Sequence, residues 1–241
     1  MNNSERYQGA ELEIFSSATN WRRYWSNIIR PFLGDRVLEV GAGIGSITIM
    51  LSQRTKEWIS LEPDELQANS IRKRIQTEGI KNTRVVTGTI SSIPHEQKFD
   101  SILYIDVLEH IADDSQEVAV AYNHLEQGGK LIILAPAHQA LYSPFDESIG
   151  HYRRYDHIAF EKIKPRSAVQ VRTYYLDSIG LFASIANKII LRTSLPTDSQ
   201  VQFWDKLLVP LSAKLDAFMR FKVGKSILVI WQKPINASQA P

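Results

Sequence analysis

Short hydrophobic runs alternate with longer segments of helical periodicity through most of the chain, and this alternation is typical of a parallel sheet flanked by helices. Some runs, such as Leu131–Leu134, are apolar at every position, as expected for strands that are covered on both faces. The pattern predicts strands at Arg36–Val40, Glu57–Leu61, Thr83–Thr87, Phe99–Ile105, Lys130–Leu134, Val169–Tyr175 and Ser226–Trp231.

Between these runs, hydrophobic positions recur at the spacing of amphipathic helices. The predicted helices lie within Ala18–Phe32, at Ser46–Gln53, Glu65–Glu78 and Ser115–Leu125, in a short segment ending at Ile163, and at Ile179–Leu191 and Phe203–Arg220. The last two fall between the final two strands, in a stretch of about fifty residues that is far longer than a hairpin needs. We expect this insertion to form a helical cap on the sheet.

The strongest local signal is a glycine-rich turn that leaves the first predicted strand and enters a helix near Ser46. Gly41, Gly43 and Gly45 occupy alternate positions, where glycine permits positive-φ turns and leaves room for a ligand. The helix start adds free N–H groups and positive dipole character. Such a loop can hold a dinucleotide pyrophosphate or the methionine end of S-adenosylmethionine, and a turn without a ligand is a third interpretation.

Two positions favour the sulfonium ligand over a dinucleotide. The dinucleotide fingerprint places glycine or alanine where this chain has Ser46, and it usually lacks an acid two residues before its first glycine. Glu39 stands at that place here. A cationic ligand amine explains an acid at this position, whereas a pyrophosphate does not.

The ends of the next two strands carry the expected nucleoside contacts. Glu62 follows the second strand, about twenty residues beyond the glycines, where an acid can accept hydrogen bonds from both ribose hydroxyls. A glutamate at a strand end is also often only a surface residue. Thr89 lies where the third strand would meet an adenine, so that contact would come from its hydroxyl or from the backbone.

These pieces together resemble the class I S-adenosylmethionine-dependent methyltransferases over about residues 20–235. The resemblance is carried by Glu39–Gly45, by Glu62, by Phe99–Ile111 and by the turn Gly128–Ile133. It implies an α/β fold: a Rossmann-like, seven-stranded, mostly parallel sheet whose last strand is antiparallel, with helices on both faces. The pocket would lie over the carboxyl ends of the strands. The segment Pro136–Tyr155 further resembles a bacterial type 12 subgroup whose acceptors are mostly uncharacterised.

The resemblance also implies roles for individual residues toward S-adenosyl-L-methionine and its product, S-adenosyl-L-homocysteine. Residues near the methionine part would be Glu39, Gly41, Ala42, Gly43 and Gly45; residues near the nucleoside would be Glu62, Pro63, Thr89 and Ile90; and residues near the transferring methyl would be Asp106 and Val107. For Glu109 and His110, which follow in the same motif, packing of the turn is at least as good an explanation as chemistry.

The polar and aromatic segment after the fifth strand is expected to border the acceptor. His138 and His151 are the candidate general bases because an imidazole titrates near neutral pH, although either ring may only fix the loop. Arg153 and Arg154 could grip an acceptor anion, and for one of them a structural pairing with Asp146 or Asp156 is preferred. Aromatic contacts are expected from Tyr24, Trp25, Tyr142 and Tyr152. No metal site is expected, since the histidines are scattered along the chain.

Composition excludes some partners and chemistries. The chain has 241 residues, of which 44% are hydrophobic and 22% charged, and its net charge of +2 argues against a nucleic-acid binder that relies on a basic field. The absence of cysteine excludes disulfides and thiolate chemistry. Without a long apolar run or a leader-like start, a soluble cytoplasmic protein without stable membrane insertion is expected, either monomer or homodimer.

The expected architecture is a single domain over residues 1–241. It would contain an N-terminal helical lid (1–35), a cofactor-binding half (36–136) and an acceptor-side half (137–235), the last with its helical insertion at about 177–223. The expected function is methyl transfer to an oxygen or nitrogen atom of a small-molecule acceptor, possibly in secondary metabolism. The alternatives are an NAD-type oxidoreductase, a non-catalytic ligand-binding or scaffold protein, and, less favoured, a macromolecule methylase.

Overall fold

The computed structural model describes residues 17–190 and 197–235, with residues 187–190 described by their backbone alone. Residues 1–16 of the expected lid, Leu191 of the predicted cap helix and the last six residues of the expected domain, 236–241, therefore lie outside the described residues. Among the helices that are described, none combines the length and hydrophobicity that crossing a membrane requires.

The described strands form one seven-stranded sheet in the order β3-β2-β1-β4-β5-β7-β6. All pairings are parallel except those of β7, which runs antiparallel to both of its neighbours. The strands are β1 (Arg36–Val40), β2 (Glu57–Glu62), β3 (Thr83–Thr87), β4 (Phe99–Ile105), β5 (Leu125–Pro136), β6 (Val169–Leu176) and β7 (Ser226–Gln232). The predicted α/β fold with a single reversed last strand is confirmed.

One strand begins earlier than its hydrophobic pattern predicts. The prediction starts the fifth strand at Lys130, but β5 begins at Leu125, so the predicted helix Ser115–Leu125 is wrong at its end. Gly128 adopts φ +79 inside β5, and a Cβ at Gly129 would lie 2.9 Å from the carbonyl oxygen of Glu126. The two glycines let the strand bend where side chains would not fit, and this bend interrupts the apolar periodicity.

The helices cover both faces of the sheet. They are α1 (Thr19–Ile29), α2 (Ser46–Leu51), α3 (Glu65–Thr77), α4 (Asp114–Asn123), α5 (Pro144–Ser148), α6 (His157–Ile163), α7 (Ser178–Ile190), α8 (Asp198–Phe203) and α9 (Val209–Phe218). One face packs on α4 and α6 through buried residues such as Val118 and Phe160. The opposite face packs on α1 and α9 through buried residues such as Trp25 and Val209. This layering explains why the central strands read as unbroken apolar runs.

The insertion between β6 and β7 docks on α1 through buried carboxylates. Asp205 accepts hydrogen bonds from the backbone N–H groups of Asn20 (3.1 Å) and Trp21 (2.8 Å), which are free donors in the first turn of α1. Asp216 accepts from the Tyr24 hydroxyl (2.6 Å) and from the N–H of Asp177 (2.7 Å). Burial and the bond to Asp216 raise the pKa of Tyr24 far above its ordinary value. The N-terminal helix and the insertion thus form one cover.

The predicted helix Phe203–Arg220 is not continuous. A π-helical turn at Trp204–Leu208 separates α8 from α9. Pro210, in the first turn of α9, has no N–H to donate to the preceding turn, so the regular helical ladder cannot pass through this point.

Candidate functional site

A cavity of about 1060 Å³ lies at the carboxyl ends of β1 and β4, beneath α1 and the insertion. Its floor is formed by the glycine loop at Gly41–Gly43 and by Asp106. The cover contributes aromatic side chains: Trp21, Trp25, Phe203 and Trp204. The segment after β5 supplies the remaining wall, with Tyr142, Phe145, His151 and Arg154 among its residues. Both expected halves therefore face one space.

The glycine loop depends on backbone conformations that other residues adopt rarely. Gly41, Gly43 and Gly45 have φ values of +68, +55 and +78, in the left-handed region. A Cβ at Gly41 would lie 2.6 Å from the Val107 side chain, so the loop also packs too closely for a larger residue. Gly45 precedes α2, and the first residue of that helix, Ser46, lines the cavity. The loop presents backbone rather than side chains to a ligand.

Glu39 lies beneath this loop rather than on the cavity wall. Its Oε2 accepts hydrogen bonds from Thr48 Oγ1 (2.5 Å), Trp58 Nε1 (2.8 Å) and Ser60 Oγ (3.1 Å). Burial raises the pKa of Glu39 to about 7, against the lowering effect of these bonds. The buried Oε1 has no hydrogen-bond partner among the described residues. A carboxylate oxygen without a partner beneath the loop suits a ligand with a cationic amine above the loop. S-adenosylmethionine carries such an amine, so the residues of the loop fit this cofactor.

Glu62 ties the end of β2 to the loop. Its Oε2 accepts from the Gly43 N–H (2.7 Å) and its Oε1 from the Asp64 N–H (3.0 Å). Burial raises the pKa of Glu62, while these backbone bonds lower it. Each carboxylate oxygen keeps a further lone pair, but Glu62 is buried and is not among the residues that line the cavity.

The other expected nucleoside residues surround this edge of the sheet. Pro63 and Thr89 are exposed, and Ile90 is buried in the core. Val107 packs against Gly41. None of these four residues is among those that line the cavity.

Asp106 stands at the point where β4 enters the cavity. It adopts φ +54, and its N–H donates to the carbonyl of Leu134 (2.9 Å), which fixes the turn. Its side chain is accessible in the open cavity but surrounded by protein, and this desolvation raises the pKa of Asp106 to about 7, while Lys225 nearby lowers it. Desolvation in turn lowers the pKa of Lys225. Asp106 is thus poised between its charged and neutral forms near neutral pH.

Asp146 organises the wall that faces Asp106. It is fully buried and accepts from His151 Nδ1 (3.1 Å), from Arg154 Nε (2.8 Å) and Nη2 (3.0 Å), and from Ser143. Burial alone would raise the pKa of Asp146, but the bonds from His151 and Arg154 hold it well below its ordinary range. The carboxylate therefore stays ionised and sets the orientation of the His151 ring. Tyr142 adds a hydrogen bond from its hydroxyl to the His151 carbonyl (2.6 Å).

Glu109 and His110 also line the cavity. From the sequence alone, packing of the turn explains these two residues at least as well as a role in the chemistry. They occupy the short turn Leu108–His110 that follows β4. Burial lowers the pKa of His110 to about 4, with a further lowering by His151, so the ring is neutral. The signal in the sequence was their position just after the strand that ends before Asp106.

Four residues expected at the acceptor are not among those that line this cavity and make contacts elsewhere. His138 bonds through Nε2 to the Gly224 carbonyl (2.9 Å) and stacks on Tyr175, so its ring is held in the fold. Arg153 pairs with Asp114 (2.6 Å). Tyr152 is 58% exposed, and Tyr24 points its hydroxyl at Asp216. The expected pairing of one arginine with Asp146 or Asp156 is found for Arg154, whose carboxylate partner is Asp146.

Comparison with known proteins agrees with this geometry. Residues 37–129 match a family model described as a methyltransferase domain. An uncharacterized methyltransferase of Staphylococcus carnosus is 34% identical over 102 residues, which cover 41% of this chain and 46% of the relative. The chain thus spans about half the length of the curated relatives it matches.

Solved structures extend the likeness to nearly the whole fold. Coclaurine N-methyltransferase bound to N-methylheliamine and S-adenosylhomocysteine has a TM-score of 0.62 at 16% identity, with 89% of this chain and 72% of that chain covered. The [4+2]-cyclase SpnF has a TM-score of 0.65 at 12% identity, with 95% of each chain covered. Residues 37–129 therefore match a methyltransferase domain, and the sheet with its reversed last strand shares its fold with these structures.

Proposed function

We propose that this chain transfers the methyl group of S-adenosylmethionine to an oxygen or nitrogen atom of a small-molecule acceptor. The observation that carries the proposal is the single cavity that joins the glycine loop and Asp106 to the aromatic and polar wall after β5. At about 1060 Å³ it is slightly larger than the ~300–1,000 Å³ typical of small-molecule pockets. A space of this size suits a cofactor and an acceptor side by side.

The chain's part in such a reaction is mainly alignment and exclusion of water. When bound, S-adenosylmethionine supplies a sulfonium methyl with a neutral leaving group. The glycine loop and Glu62 would hold its two ends, and Asp106 would face the sulfonium with a negative charge. The cover formed by α1 and the insertion would close over both ligands.

The lining favours an acceptor with an apolar or aromatic body. Trp25, Phe145 and Trp204 contribute ring surfaces to the cavity, and Phe203 is 56% exposed. The three arginine and lysine residues on the lining, Arg22, Arg154 and Lys225, each have a carboxylate neighbour, so a strongly anionic acceptor is not favoured. His151, held by Asp146 with Nε2 directed away from it, is the side chain best placed to act on the acceptor's proton.

The proposal is tested by two measurements on the full chain. Calorimetric titration should show S-adenosylmethionine and S-adenosylhomocysteine binding at one site and no binding of NAD. Incubation with a metabolite extract and S-adenosylmethionine carrying a deuterated methyl should then yield products heavier by one labelled methyl group. NAD binding without S-adenosylmethionine binding would overturn the assignment.

A non-methylating protein of this fold is the second candidate. The similarity to SpnF supports this candidate, because SpnF is described as a [4+2]-cyclase and shares the fold. Cofactor binding without any labelled product or S-adenosylhomocysteine release would select it. A nucleic-acid acceptor is disfavoured by the net charge of +2. The cytoplasmic location, secondary metabolism, the single-domain division and a monomer or homodimer remain predictions.

A further inference from the structure

Three potential metal ligands meet on the cavity wall. One donor atom each from Glu109, His110 and His151 lies within 4.8 Å of the other two. The spacing of histidines along the sequence gave no hint of this cluster, because the turn after β4 supplies two members and the segment after α5 supplies the third. All three line the same cavity as Asp106.

Backbone hydrogen bonds hold the two segments together. The Tyr152 N–H donates to the Glu109 carbonyl (2.8 Å), and the His151 N–H donates to the Asp146 carbonyl (2.9 Å). The rings of His110 and His151 meet edge to face, with centroids 4.6 Å apart and planes at 80°. The side chains of Glu109 and His151 are 0% and 7% exposed, so their geometry is set by packing rather than by solvent.

Each histidine forms a hydrogen bond on the side of its ring away from the cluster, and this bond determines which ring nitrogen faces the cluster. The ionised Asp146 can only accept, so His151 Nδ1 donates to it and Nε2 is the ring nitrogen that can bind a metal ion. That Nε2 lies 3.8 Å from Glu109 Oε1, which places a nitrogen acceptor opposite a carboxylate oxygen. His110 forms its own hydrogen bond to the backbone of Gly150. An imidazole bonded on its far side to a carboxylate or carbonyl is the usual setting of a metal-bound histidine.

We propose that Glu109, His110 and His151 bind one divalent first-row transition-metal ion. Two imidazoles and one carboxylate form a donor set that suits zinc, iron, cobalt or manganese, whereas magnesium and calcium prefer oxygen alone. Metal–ligand bonds of about 2.0–2.2 Å place donors about 3.4 Å apart, so the cluster needs only side-chain shifts to close on an ion. Three protein ligands leave a coordination position open toward the cavity.

This open position would serve methyl transfer, with His151 then holding the ion instead of acting as the base, and this part of the inference rests on the proposed function. An acceptor hydroxyl bound to the ion loses its proton more readily, and the proton passes to solvent. The acceptor oxygen then forms a bond to the methyl carbon as the bond from that carbon to sulfur breaks, and the electron pair stays on sulfur. The acceptor class is therefore a molecule with a hydroxyl that can reach the ion.

Direct metal binding is the first test. The full chain, treated with a chelator and dialysed, is titrated with Zn²⁺ by calorimetry and with Co²⁺ by visible absorption. We expect one ion per chain, a dissociation constant below about 10 μM and cobalt bands of a low-coordinate nitrogen and oxygen site. Binding weaker than this, or with no defined stoichiometry, would overturn the proposal.

Variants locate the site. Glu109→Gln, His110→Ala and His151→Ala should each weaken Zn²⁺ binding at least about 100-fold, and Asp146→Asn should weaken it about 10-fold through His151. The control is His95→Ala, because His95 forms a similar edge-to-face pair with His124 (centroids 6.0 Å apart) outside the cavity lining. Since Glu109 is buried, circular dichroism checks the fold of each variant, and Glu109→Asp is the substitute if Glu109→Gln does not fold. Equal losses in His95→Ala would contradict the site.

Cofactor titrations separate this inference from the proposed function. S-adenosylhomocysteine binding to the metal-free chain, without any Zn²⁺ binding, would overturn the metal site and leave His151 as the candidate base. Zn²⁺ binding without binding of S-adenosylmethionine or S-adenosylhomocysteine would support the metal site and overturn methyl transfer. Binding of both, with His151→Ala losing the metal and keeping cofactor affinity within about twofold, would support both.

Discussion

The two walls of the cavity present different kinds of chemical group. The wall built from residues 36–136 presents a loop whose three glycines all have positive φ, with one glutamate beneath it and another at its edge. The wall built from residues 137–235 presents side chains, held by the buried Asp146–Arg154 pair and covered by aromatic rings. A ligand shared across a family can be held by backbone groups in one short motif. An acceptor that differs between members must be held by side chains, which any segment can supply.

The largest expected effect is on cofactor affinity, at the wall built from residues 36–136, which we call the cofactor wall. Gly43→Asp should weaken S-adenosylmethionine binding more than about 100-fold, because the new carboxylate enters the loop beside Glu62, whose Oε2 already bonds to the Gly43 N–H. Calorimetry measures the loss. The matched control is Gly79→Asp, since Gly79 also has positive φ (+66) but a Cβ there meets nothing within 4 Å among the described residues. Unchanged affinity in Gly43→Asp would remove the loop from the cofactor site.

The next effect is on the free energy of unfolding, through the wall built from residues 137–235, which we call the acceptor wall. Asp146→Asn should lower the free energy of unfolding by about 3 kcal/mol, since it leaves the Arg154 guanidinium (10% exposed) without its buried carboxylate. Urea denaturation measures it, and the thermal midpoint should fall by about 6–12 °C. Lys56→Gln breaks an exposed pair with Asp35 and should leave the midpoint unchanged. Cofactor affinity should change less than about twofold, and a larger loss would show that the two walls are not independent.

A smaller effect links pH to the charge at Asp106. Because its pKa is raised to about 7, Asp106 is charged at pH 8 and largely neutral at pH 6. The positive sulfonium of S-adenosylmethionine should therefore bind about three- to tenfold more weakly at pH 6 than at pH 8. S-adenosylhomocysteine has a neutral sulfur and serves as the control, since protonation of Glu39 would affect both ligands alike. Equal pH slopes for the two ligands, or an unchanged slope in Asp106→Asn, would contradict this placement.

The smallest effect tests the hydroxyl that braces His151. Tyr142→Phe removes the bond to the His151 carbonyl and should cost about 1 kcal/mol of unfolding free energy. Its effect on cofactor affinity should stay below about twofold. Tyr152→Phe, at the 58% exposed neighbour, should change neither quantity. A cofactor defect in Tyr142→Phe alone would mean that the acceptor wall also positions the cofactor.

Local periodicity and motif chemistry were sufficient for most of the fold. β1, β3 and β4 have the bounds that their hydrophobic patterns predict. The glycine loop could be predicted because its residues are consecutive in the sequence, and Glu62 because it stands at the end of a predicted strand. The pattern was insufficient where glycines bend β5 and where Pro210 interrupts the cap helix, since these depend on backbone geometry rather than on hydrophobicity.

The sequence by itself determined the sheet and the glycine turn, since these follow from residues that are neighbours in the chain or recur with a fixed period. Only the tertiary structure decided which polar residues face the cavity. It placed His138 and Arg153 in structural contacts and brought His151 against Glu109, across a separation in sequence that no local pattern encodes. Side-chain partnership between distant segments depends on how the layers pack, and packing is a property of the whole fold.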